Sequence, residues 1–180
     1  MSNIINKSAA VLVIGKERTA IIDSILEHYK TIPQLRLHPY DETLAEAFSI
    51  YRMNVVRNNV TQLFRGDHDA SVRSIVILDT DIDYHKSAAV RSMVLNSAHL
   101  HMLVLIGQAT YTPMPPDIRV NIDYIFLNKN SGLPETFHKY YGIDGFLEAL
   151  DKTSDTCYIV LDMQQGKMYY LDIPKIVFKS

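Results

Sequence analysis

The sequence predicts a three-layer α/β domain with a mainly parallel sheet and an added C-terminal β-hairpin, and three observations carry that reading. Short apolar runs rich in β-branched residues recur at Ala9 to Ile14, within Arg73 to Asp79, at Met102 to Ile106 and at Ile122 to Leu127. Such runs suit strands buried on both faces, as in a parallel sheet covered by helices. Segments of helical periodicity separate them. Two further strand-length segments, Tyr158 to Asp162 and Lys167 to Ile173, are joined by Gln164-Gln165-Gly166 and read as a hairpin.

Taken in order, Ala9 to Ile14 is closed by Gly15 and reads as a central parallel strand. From Arg18 to Lys30 the residues Ile21, Ile22, Ile25, Leu26 and Tyr29 form a helical stripe. Ile32 to Tyr40 alternates between Pro33 and Pro39, which suggests a short edge strand. Asp41 has the character of an N-cap for a helix reaching about Phe64, with Leu44, Ala45, Phe48, Tyr51, Val55 and Leu63 on one side. Arg52, Arg57 and Arg65 accompany it as a solvated face. Tyr84 to Ser97 reads as a helix with Ala88, Ala89, Val90, Met93 and Val94 inward, Leu133 to Tyr141 as a short one, and Phe146, Leu147 and Leu150 as part of another.

The chain is organised around Leu100 to Asn128. One apolar run there ends in Gly107-Gln108, and the next begins at Ile122; between them stand Pro113, Pro115 and Pro116. Proline lacks the amide donor and fixes φ, so this link is expected to be a rigid loop and not a helix. A polar amide is thereby set at the C-terminal tip of a central strand, where ligands of open α/β sheets bind. A strand ending in Gln108, a proline-containing loop, Ile118-Arg119-x-Asn121-x-Asp123 and a further strand together resemble the FtsK/HerA-type packaging ATPases of poxviruses and other large DNA viruses. The likeness is strongest from about Arg73 to Leu171, and it includes Asn96-Ser97-Ala98-His99, which is similar to the family's Asn-Gly-Arg-His stretch with Ala98 in place of arginine. The resemblance implies a P-loop NTPase-like fold of the RecA/FtsK type, with Gln108 as a sensor of the nucleotide γ-phosphate. It also implies that Arg119 lies near a subunit boundary, where it serves the neighbouring nucleotide.

The expected nucleotide site departs from that family's pattern. A phosphate-binding loop needs Gly, four residues, then Gly-Lys-Ser/Thr, so that successive backbone amides and one lysine face the phosphates. Here the strand and helix are joined by Gly15-Lys16-Glu17-Arg18-Thr19 alone. Aligned with the family, Thr19 takes the magnesium-binding hydroxyl, Arg18 the lysine and Glu17 the second glycine, and three loop residues are missing. Substitution of Lys16 for the lysine from the other side of the turn is the less favoured reading; a tight strand-to-helix turn left after the phosphate site decayed is the better one. Asp79 closes a run of Walker B form and would anchor the magnesium shell. The next position is Thr80, which cannot accept a proton from water at neutral pH. Asp79-x-Asp81-x-Asp83 lacks the glycine and distal glutamate of a calcium loop.

Composition bounds the partners. The 180 residues are 47% hydrophobic, enough for one sizeable core, and one domain spanning 1–180 is expected. A net charge of −2 gives no basic excess to advertise nucleic-acid binding, although a ring can grip DNA through few residues. The single cysteine, Cys157, excludes an intrachain disulfide and reads as a strand residue. No apolar run nears the ~20 residues of a membrane span, and the N-terminus is too polar for a signal peptide. A soluble protein, intracellular or packaged inside a particle, is therefore expected, which the resemblance implies is a virion or the host-cell cytoplasm. His99 and His101 read as strand-entry residues and not as a metal pair, and Asn59-Val60-Thr61 as an accidental sequon.

Two functions follow. One is a degenerate packaging-ATPase-like protein with lost or impaired hydrolysis, serving structure, assembly or regulation in a large DNA virus. The other is an active ATP-dependent DNA-packaging motor subunit using Asp79, Gln108 and Arg119 in catalysis, Gly15, Lys16, Arg18 and Thr19 on nucleotide, and Thr19 and Asp79 on magnesium. Both imply a homo- or hetero-oligomer, with viral DNA or capsid components as partners and ATP with magnesium as ligands. An unrelated Rossmann-like enzyme is disfavoured, because the chain has no Gly-x-Gly-x-x-Gly turn.

Overall fold

The computed structural model describes residues 8–29, 36–39, 54–55, 74–78, 88–133 and 137–172. Its eight strands are β1 (Ala9–Ile14), β2 (Arg36–Pro39), β3 (Asn54–Val55), β4 (Ser74–Leu78), β5 (Met102–Gln108), β6 (Tyr124–Leu127), β7 (Cys157–Asp162) and β8 (Lys167–Asp172). They form one sheet in the order β3-β2-β4-β5-β1-β6-β7-β8. The first six are parallel to their neighbours, while β7 and β8 add an antiparallel hairpin beyond β6. This is the α/β architecture that the apolar runs predict.

Among the described residues five helices accompany the sheet: α1 (Arg18–Tyr29), α2 (Ala88–Asn96), α3 (Pro116–Arg119), α4 (Phe137–Tyr141) and α5 (Phe146–Asp151). Alternate residues of each strand point to opposite faces. On one face Val11, Val13, Leu103 and Leu105 meet the α1 stripe of Ile21, Ile22, Ile25 and Leu26. On the other, Leu12, Val104 and Ile106 meet Val90, Met93 and Val94 of α2, Ile118 of α3, and the aromatic residues of α4 and α5. Every residue of β1 and β5 is buried. Each large aliphatic side chain so covered stabilises the fold by about 1.5–3 kcal/mol, which explains why the middle of the sheet reads so clearly in the sequence.

Three expectations are corrected. The proline link contains a helix, α3, because Pro115 takes an extended backbone (φ −52°, ψ 146°) as the residue before a proline must, and Pro116 begins the helix. A proline there sacrifices an amide that would have had no intrahelical partner. An unbroken helix from Asp41 to Phe64 is excluded by β3, whose Asn54 and Val55 pair with Arg36 and Leu37; the rest of that segment lies outside the described residues. That pairing also moves β2 from the edge to the second position in the sheet. The helix expected from Tyr84 is described from Ala88 onward.

Candidate functional site

Parallel register brings the C-terminal tips of β1, β5 and β6 together. Ile14 lies beside Gln108, and the Gly15 amide donates to the Gln108 carbonyl oxygen at 2.9 Å. Beyond β6, the Ser131 hydroxyl donates to the Ile14 carbonyl at 2.8 Å and accepts from the Asn128 amide at 2.9 Å. The tip of β4 is in register with β5, with Leu78 beside Ile106. Asp79, the next residue, lies outside the described residues, and its expected magnesium role is untested there.

The turn from β1 to α1 consists of Gly15, Lys16 and Glu17. The Arg18 amide donates to the Gly15 carbonyl, and the first helical bond runs from the Ile21 amide to the Glu17 carbonyl, both at 3.3 Å. No wide loop intervenes. Gly15 has φ +137°, a conformation open to glycine, and a Cβ there would stand 3.3 Å from the Tyr158 hydroxyl and 3.5 Å from Ser131 Oγ. Lys16, Glu17 and Thr19 are exposed and Arg18 is half-buried.

Beside this turn lies a cleft of about 540 Å³, walled by Lys16, Glu17, Asn128, Lys129, Asp155 and Tyr158, among others. Two lysines and two carboxylates share it, so it suits a polar ligand carrying both negative and hydrogen-bonding groups. Asn130 donates to Asp155, fixing that carboxylate at the rim. Burial pushes the Tyr158 phenol up to about 12, and the charges of Glu17 and Asp155 push the same way, against hydrogen bonding from Asn128 and the Glu17 main chain. Tyr158 therefore stays a neutral hydroxyl at any physiological pH.

The remaining expected site residues stand apart from that cleft. Gln108 is buried, and its side-chain oxygen accepts from the Thr112 amide at 2.9 Å while its nitrogen donates to the Thr112 carbonyl at 3.4 Å. The glutamine thus closes the turn leaving β5. Arg119 lies on α3, where its guanidinium stacks over the exposed Tyr140 ring, 3.9 Å from the centroid. Two partners of Arg119 in the sequence pattern have structural tasks. Asn121 donates to the Asp117 carbonyl at 2.7 Å, and Asp123 accepts from the Ala10 amide at 2.8 Å and from Gln164 at 2.6 Å. His99 and His101 are exposed, and no group of three or more metal-ligating side chains occurs among the described residues.

Sequence reasoning missed Asn128, Lys129, Ser131 and Tyr158 as members of this edge. Asn130-Ser131-Gly132 reads in the sequence as a turn beyond Asn128, yet this segment follows the tip of a parallel strand, the same rule that singles out Gln108.

A mainly parallel sheet with helices on both faces and an antiparallel C-terminal hairpin is an α/β fold that solved structures share. The genome-packaging NTPase B204 of Sulfolobus turreted icosahedral virus 2, solved with ATP-γ-S, superposes with a TM-score of 0.67 and 12% identity over 92% of this chain and 97% of that one. Its complex with AMPPCP gives 0.67 and 11% over 92% and 98%. B204, the DNA-packaging ATPase of Sulfolobus turreted icosahedral virus, gives 0.63 and 10% over 93% and 98%. At these identities the likeness shows the fold. No family model matches the chain, and a search of curated proteins found no match.

Proposed function

We propose that this chain is a packaging-ATPase-like protein of the FtsK/HerA type that grips nucleotide weakly and turns it over slowly, with a structural, assembly or regulatory role in a viral packaging apparatus. The observation that carries the reading is the three-residue turn between β1 and α1. A triphosphate held by a full loop receives several charge-assisted hydrogen bonds, each worth about 1.5–3 kcal/mol. This turn is too short to direct that many amides at one ligand. Thr80 in place of a second acid removes the group that would polarise water.

The fold is retained and the cleft offers a place for nucleotide. Lys16 and Lys129 would meet its phosphates, with Arg18 at the helix start, and Thr19 with Asp79 would face its magnesium. Gln108 links that edge to the loop leading into α3, and Arg119 with Tyr140 and the exposed Val120 offers a surface for a neighbouring subunit. The location follows: a virion, or the host cytoplasm where particles assemble.

The active-motor reading has one observation in its favour, the cleft with its two lysines. Calorimetric titration with magnesium and ATP-γ-S separates the two. The weak-grip reading expects a dissociation constant above about 100 μM, equivalent to less than about 5.5 kcal/mol. Micromolar binding abolished by Asp79→Ala would establish the motor instead.

A further inference from the structure

Tyr158 leaves β7 on the α1 face, where its ring is 1% exposed and packs in the cluster containing Val11, Val13, Ile21 and Ile22. Its hydroxyl stands at the other end of that ring, on the β1–α1 turn. A Cβ on Gly15 would meet this oxygen at 3.3 Å, and its polar neighbours are the Asn128 side chain and the Glu17 main chain. The Ser131 hydroxyl is close by, but its proton is given to the Ile14 carbonyl. The start of a helix carries partial positive charge on its main chain, which draws oxygen ligands bearing lone pairs. A neutral phenol oxygen satisfies that demand without bringing a charge into the core. The cleft opens beside it, with Tyr158, Lys16 and Lys129 among its walls.

We propose that the Tyr158 hydroxyl is a built-in occupant of the phosphate seat at the β1–α1 turn, a positioning residue that holds a nucleotide's phosphates off the main chain and so sets the weak grip. This rests on the reading of the cleft as a nucleotide site, and it adds a cause beyond the shortened loop. A phosphate oxygen can reach the Glu17 main chain only where the phenol oxygen gives way. Removing the hydroxyl while keeping the ring should therefore strengthen binding, whereas a purely structural hydroxyl would weaken both binding and stability when removed.

The test titrates the full chain and its Tyr158→Phe variant with magnesium ATP-γ-S and, separately, with inorganic phosphate, alongside urea unfolding of each. The variant is expected to bind ATP-γ-S about three- to tenfold more tightly, the effect of freeing one hydrogen-bonding position, while being no more stable than the parent. Equal or weaker binding by the folded variant, with measurable binding by the parent, overturns this inference and leaves the nucleotide reading intact. Absence of binding by both proteins at millimolar ligand overturns the two together. Should the variant not fold, tyrosine-selective NMR of the unaltered protein decides: the Tyr158 ring resonance must move on saturation with ATP-γ-S, and an unmoved resonance refutes the displacement.

Discussion

The two ends of β1 are held in different ways. At its N-terminal end, Asp123 accepts from the Ala10 amide, the Asp123 amide donates back to the Ala10 carbonyl, and Gln164 ties the same carboxylate to the hairpin. At its C-terminal end a glycine with φ +137° turns the chain under two hydroxyls from distant segments, next to an open polar cleft. One end is closed by side chains of neighbouring segments and the other leaves charged groups in water. The difference teaches that a sequence pattern can be read as a site and prove divided: Asn121 braces α3 and Asp123 fastens β1, while the groups proposed to face a ligand, Lys16, Lys129 and Tyr158, stand at the opposite end of that strand.

The contrast breaks first at Asp123. Asp123→Ala leaves the Ala10 amide and Gln164 without their acceptor and should cost about 2–3 kcal/mol in urea unfolding, with ATP-γ-S affinity of the folded fraction unchanged. A loss of affinity at full stability would show instead that this carboxylate belongs to the ligand site. Gly15→Ala should cost about 1–3 kcal/mol, because an L residue is strained at that φ and its Cβ crowds Tyr158. A neutral result there would mean that the turn relaxes easily and is no rigid wall.

A pH series sharpens the comparison at Tyr158. The folded phenol is raised to about 12 from an ordinary 10, so the folded state keeps its proton where the unfolded state loses it. The contribution to stability is complete below pH 10 and disappears as pH rises toward 12. Over that window the parent should lose stability more steeply than Tyr158→Phe, and parallel slopes would place the hydroxyl in water. The smallest effect is expected at Arg119. Arg119→Ala removes an exposed stacking contact worth about 0.5–1 kcal/mol, so folding should barely change while self-association, followed by light scattering, falls. Unchanged particle size would remove Arg119 from any subunit boundary.

What was legible follows from the range of the forces involved. The buried strands were readable because burial on both faces imposes an unbroken apolar run, as in Ala9–Ile14 and Met102 to Ile106. Gly15 and Gln108 were readable because strand tips are where chain direction changes. The α3 helix was not, since proline signals a break inside a helix and a beginning at its first position, and composition does not tell the two apart. The two residues of β3 sat inside a helical stripe, where periodicity cannot separate a short strand from a helix. Ser131 and Tyr158 were invisible as site residues because they reach the turn through the fold; Ser131 lies 117 positions from the carbonyl it bonds.

The central claim, a retained fold with an impaired phosphate seat, is tested most directly by steady-state ATP hydrolysis of the purified protein with magnesium, with and without double-stranded DNA, against its Asp79→Ala variant. The account predicts slow turnover that DNA stimulates in neither protein. DNA-stimulated hydrolysis that vanishes in the variant would contradict it and make this chain a working motor.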